Sequence, residues 1–83
     1  MSNRTFLVKQ NLLKSLKQCG SYLLLEEHLF DSCKLLTPTL YRTEFEEALR
    51  DAEAQKLATP VRTERGTKWK LSPEGEAWLT ENA

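Results

Sequence analysis

Eighty-three residues, 40% hydrophobic and 29% charged with the charges dispersed, suit one ordinary folded domain and leave little room for a separate sensor or catalytic domain. Leaving tyrosine aside, no unbroken apolar run exceeds three residues, the length reached at Phe6 to Val8 and Leu23 to Leu25 among others. A membrane span needs ~20, and the N-terminus has no secretory pattern, so no membrane association is expected.

A cytoplasmic location follows as the expectation, with Cys19 and Cys33 reduced and no disulfide between them. The net charge is zero, but its distribution is uneven. Residues 1 to 20 carry Arg4, Lys9, Lys14 and Lys17 and no acid, whereas residues 43 to 56 sum to −3 and residues 61 to 71 to +3.

In chain order, Val8, Leu12, Leu16 and Cys19 recur at helical spacing, with Leu13 widening the stripe, and predict a first helix over Thr5 to Cys19 that stops at Gly20. Tyr22 to Leu24 can add a short edge strand. A second helix is predicted over Glu26 to Leu36, with Leu25, Leu29, Cys33 and Leu36 on one face and two glutamates at its positive end. Thr37-Pro38 terminates it. Thr43 and Glu46 have the spacing of a capping box, which places the start of a third helix at Thr43. Its inner stripe is Phe45, Ala48, Leu49 and Ala52, and its outer face is centred on Thr43, Glu47, Arg50 and Ala54, flanked by Glu46 and Asp51. Leu57 closes the segment.

Val61 to Leu71 reads as a hairpin. A three-residue loop, Glu64-Arg65-Gly66, pairs Val61 with Trp69 and Thr59 with Leu71 and puts Arg62 opposite Lys68, which separates core from charge. Gly66 then supplies the left-handed residue of a turn and bulge. Ser72 is an N-cap, with Pro73 in the first helical position and Glu74 in the first turn of a last helix, Pro73 to Leu79.

The order of three helices, hairpin and terminal helix resembles a winged helix-turn-helix domain over nearly the whole chain, and the segments WKLSPEGEAWL and FEEALRDAEAQKL carry the resemblance. Trp69, Leu71, Ser72 and Gly75 match a wing ending found in bacterial winged-helix regulators of the MarR and PadR families. The linker LTPTLYR is longer than a minimal helix-turn-helix allows. The expected fold is therefore α+β: one winged-helix domain, residues 1 to 83, with a three-helix bundle, a small antiparallel hairpin wing and a short C-terminal helix. The resemblance implies a small bacterial or phage DNA-binding protein that regulates transcription, with the third helix in the major groove and the wing on the backbone. It also implies a homodimer contact through the first and last helices, where Trp78 is a candidate, although Trp78 fits the core better.

For double-stranded DNA, the candidate contacts are Arg62, Arg65, Lys68 and Lys70 on the wing and Tyr41, Arg42, Thr43 and Arg50 at the third helix. Arg65, at the tip, is the strongest of them, because a tip residue is poorly placed for packing. The bland reading of the wing charges is that they keep an edge soluble. On the third helix, Glu46 and Glu47 oppose phosphate, and a solvated face with Glu46–Arg50 and Glu47–Arg50 pairs is the favoured reading. Lys9, Lys14 and Lys17 are expected to decorate the outside of the first helix. The alternative function is a protein-interaction module that docks a basic partner on the acidic third helix. Cys19, His28 and Cys33 match no common zinc spacing, His28 and Cys33 form no catalytic pair, and no phosphate loop is present, so no metal, cofactor or enzymatic activity is expected.

Overall fold

The computed structural model describes residues 3–18 and 23–82. Cys19 at the end of the first predicted helix, its stop at Gly20, and Tyr22 lie outside the described residues. Helix α1 (Asn3–Gln18) presents Val8, Leu12, Leu13 and Leu16 to the interior, all essentially fully buried. Each such side chain contributes about 1.5–3 kcal/mol through burial. Around α1 pack α2 (Glu26–Leu36), α3 (Arg42–Ala54) and α4 (Pro73–Asn82), and a sheet of β1 (Leu24–Leu25), β2 (Ala58–Thr63) and β3 (Gly66–Leu71) closes one side. The described chain is α+β, with four helices and a three-stranded antiparallel sheet ordered β1-β3-β2. No described helix is long and apolar enough to cross a membrane.

Helix α2 has the predicted bounds, but Leu36 is 50% exposed and lies off the buried face of Leu29 and Cys33. The chain already turns away there, as Thr37 N–H closes the helix on Cys33 O and the Thr37 hydroxyl accepts from Asn11 Nδ2 at 2.8 Å. The inner stripe of α3 is the predicted one, Phe45, Ala48, Leu49 and Ala52. Its start is not: the helix begins at Arg42 with Tyr41 as N-cap, and Glu44 rather than Glu46 reaches back, accepting the Tyr41 N–H at 3.0 Å. Arg4 of α1 holds Glu44 in place and also donates to Thr39 O and Thr39 Oγ1, and this long-range anchor moves the start by one residue. Lys9 does not decorate the exterior. It is buried, with Nζ 2.8 Å from Asp51 Oδ2, 3.2 Å from Gln55 Oε1 and 5.1 Å from the centre of the Trp78 ring, so one ammonium joins α1, α3 and α4.

Helix α3 ends in a left-handed residue, Lys56, at φ 62°. Lys56 N–H donates to Glu53 O and Leu57 N–H to Ala52 O, the two-bond pattern of a Schellman stop. This corner then receives α4. Leu57 O accepts the Ser72 N–H, Lys56 O accepts the Ser72 hydroxyl at 2.6 Å, and Ser72 Oγ accepts the Gly75 N–H at 2.9 Å as the predicted N-cap. Helix α4 runs on to Asn82, past the predicted Leu79, with the Gln10 side chain donating to Asn82 O and the Asn82 side chain donating to Trp78 O.

That corner sets the hairpin register from its base. With Leu57 O on Ser72 N–H, Ala58 falls opposite Leu71, Pro60 opposite Trp69, Val61 opposite Lys68 and Arg62 opposite Thr67. The loop is therefore two residues, Glu64-Arg65, instead of the predicted three, and the expected Val61–Trp69 and Arg62–Lys68 pairs do not form. Small Ala58 and ring-shaped Pro60 leave room for the buried indole, while Val61 turns to the outer face and is 37% exposed. Pro60 costs no ladder bond on β2, an edge strand. Gly66 has the positive φ expected of it, 125°, but as the first residue of β3.

Candidate nucleic-acid interface

The hairpin register distributes the cations. Along β3, Lys68 and Lys70 share the outer face with Val61 and Thr59, whereas Arg62 lies on the opposite face, the side of Trp69, and Arg65 occupies the tip. Arg62 can share the indole's face because it lies near the tip, where residues 61–66 are all exposed. The expectation of a single charged face opposite the core is thus corrected to cations on both faces and at the tip. Arg62, Arg65 and Lys70 are exposed and Lys68 is half-buried. None of the four makes a side-chain hydrogen bond or ion pair with a described residue.

At α3 the cations are divided. Arg42 is enclosed by acids: its NH2 lies 2.6 Å from Glu27 Oε1 and 3.8 Å from Glu26 Oε2, its NH1 donates to Glu27 Oε2 at 3.0 Å, and its Nε is 3.7 Å from Glu46 Oε1. The guanidinium also covers the Phe30 ring at 4.9 Å, and Phe30 meets Phe45 edge-on. Hydrogen bonding to Arg42 holds the Glu27 carboxyl below its ordinary value and raises the guanidinium's own. Arg42 thereby clamps α2 to α3, a partnership that the sequence reading, which weighed it only as a backbone contact, did not anticipate. The signal was the Glu26-Glu27 pair, which composition explains fully as a helix-start charge. Tyr41, 71% exposed, and Thr43 and Arg50, both exposed, remain accessible. The Glu46–Arg50 and Glu47–Arg50 pairs are absent among the described residues; Glu46 lies instead beside Arg42.

Between α3 and the sheet lies a notch of roughly 150 Å³ lined by Glu26, Glu46, Leu49, Arg50, Glu53 and Trp69. Its floor is tied down by Trp69 Nε1–H, which donates to Glu26 Oε1 at 3.1 Å. The site therefore combines an electropositive finger with an acidic notch, in which Arg50 is the single cation among the lining residues. Sequence reading missed Glu26 and Glu53 here, since their approach depends on how α2 and the hairpin meet.

Cys33 is buried in the core, and burial pushes its thiol up to about 11, so it is neutral and shielded near pH 7. Among the described residues no group of three His, Cys, Asp or Glu side chains could hold a metal ion. The chain matches no protein-family model, no curated protein and no solved structure.

Proposed function

We propose that this chain is a small winged-helix domain that binds double-stranded DNA and regulates transcription, with the β2–β3 hairpin as the wing. One observation carries the reading: three cations that join elements of the body are paired, Arg4 with Glu44, Lys9 with Asp51 and Arg42 with Glu26, Glu27 and Glu46, while four cations gathered on one hairpin have no carboxylate partner among the described residues. Cations left unpaired on a projecting hairpin are available to displace counterions from phosphate. Arg65 leads, with Lys68, Lys70 and Arg62 beside it, and Arg50, Thr43 and Tyr41 line the approach of α3 to the groove. The role uses no catalytic group and no cofactor. A homodimer would use the α1–α4 side, where Phe6 stays exposed while its ring tilts against Trp78 at 5.4 Å. Titration of random-sequence duplex at two salt concentrations tests the reading, which expects binding that weakens steeply with salt.

A second reading rests on the notch. Glu26, Glu46 and Glu53 around one opening, with exposed Tyr41, Leu35 and Leu36 on the α2–α3 side of the molecule, suit a basic protein segment docking on the acidic third helix. Glu46→Lys combined with Glu47→Lys would abolish such a complex and strengthen DNA binding, so the same variant separates the two.

A further inference from the structure

Thr43, Glu47, Arg50 and Ala54 recur at positions i, i+4, i+7 and i+11 along α3, all four are exposed, and none makes a side-chain hydrogen bond or ion pair with a described residue. Every other acid of the first three turns is engaged: Glu44 by Arg4, Glu46 by Arg42 and Asp51 by Lys9. Glu47 is thus a carboxylate with nothing to do inside the molecule, one turn from a guanidinium equally unoccupied. We infer that Glu47 and Arg50 set a base preference, Glu47 for cytosine and Arg50 for guanine, so that α3 selects duplexes carrying C and G within a step or two of each other. This rests on the DNA-binding reading above.

The choice of base follows from donor chemistry. An ionised carboxylate only accepts hydrogen bonds. In the major groove guanine shows two acceptors, thymine an acceptor and a methyl group, and adenine a donor beside an acceptor, so cytosine alone offers a donor with no acceptor next to it. Against guanine or thymine Glu47 meets only acceptors or a methyl group, and against adenine the N6 donor is offset by the neighbouring N7 acceptor, which repels the carboxylate. Arg50, a fork of donors, complements the two acceptors of guanine. The carboxylate therefore works by rejection: it weakens binding to every duplex and least to the right one, and the wing cations supply the attraction that makes this tolerable.

The expectation has an unusual sign. Glu47→Ala binds unselected duplex more tightly than the natural chain, by roughly fivefold at low salt, the effect of removing one like charge a few ångströms from phosphate. Glu47→Gln, whose amide both donates and accepts, matches adenine. The test is selection from a random-duplex library with the natural chain, Glu47→Gln and Glu47→Ala, their folding checked by circular dichroism. The expected outcome is a cytosine beside a guanine for the natural chain, favoured about tenfold over other bases. Adenine should replace that cytosine for Glu47→Gln, and the preference at that position should vanish for Glu47→Ala. Tight binding with no enriched cytosine, or a cytosine that survives Glu47→Gln, overturns the inference and leaves DNA binding standing. Failure of both the natural chain and Glu47→Ala to bind any duplex overturns the DNA-binding reading as well.

Discussion

The carbonyl oxygen of Leu57 lies against the α-carbon of Gly75, where a β-carbon would come within 2.1 Å of that oxygen and 2.7 Å of Leu71 Cδ1. The glycine three residues after Ser72 is therefore a packing requirement of the corner from which the hairpin springs. Gly75→Ala should destabilise the protein by about 3 kcal/mol or prevent folding, since backbone must move to admit the methyl group. Chemical denaturation checks it, and a loss under 1 kcal/mol would mean that the corner can relax.

On the other side of the same corner, Lys56 adopts the left-handed conformation at φ 62° that glycine tolerates without cost. Lys56→Gly is expected to raise the unfolding free energy by about 0.5–1 kcal/mol, the reverse of the usual penalty for glycine. A lower denaturation midpoint would show that the lysine side chain contributes more than its backbone costs.

Lys9 is the buried ammonium that links three helices. Lys9→Ala leaves Asp51 without its partner and opens space beside Trp78, and it should cost about 2–4 kcal/mol. Lys9→Met keeps the stem and should recover part of that loss, read in the same denaturation series.

Two exposed guanidinium pairs make stability depend on acid. Arg42 holds Glu27, and Arg4 with the Tyr41 N–H holds Glu44, below the ordinary carboxyl value of 4.5. In the unfolded chain both carboxyls return to that value, so under acid the unfolded state binds more protons and is favoured. The contribution of these pairs is complete above roughly pH 5 and declines as the pH falls through the lower folded values. The denaturation midpoint should be level above that point and drop below it. The drop should be shallower in Arg4→Met combined with Arg42→Met.

Much of this was legible in the sequence where a local pattern suffices. The bounds of α2, the inner stripe of α3 and the Ser72 cap with Pro73 behind it all follow from spacing within one or two turns. What was not legible depends on partners far along the chain. The hairpin register is set by Leu57 and Ser72, fifteen positions apart, and minimising charge on Trp69's face pointed to the wrong loop because Arg62 lies near the exposed tip. Arg42 read only as a backbone contact because Glu27, its main partner, sits on another helix. For the candidate interface, the tip argument singled out Arg65 alone, and the unpaired state of Glu47 and Arg50 among the described residues was not legible because their helical spacing suggested pairing.

The central claim is that the hairpin cations supply the attraction for duplex DNA, and the salt dependence of binding tests it most directly. The slope of log affinity against log salt should be less negative by about 2 in Arg65→Ala combined with Lys68→Ala than in the natural chain, with weaker binding to every sequence alike. An unchanged slope and affinity in that variant would contradict the account.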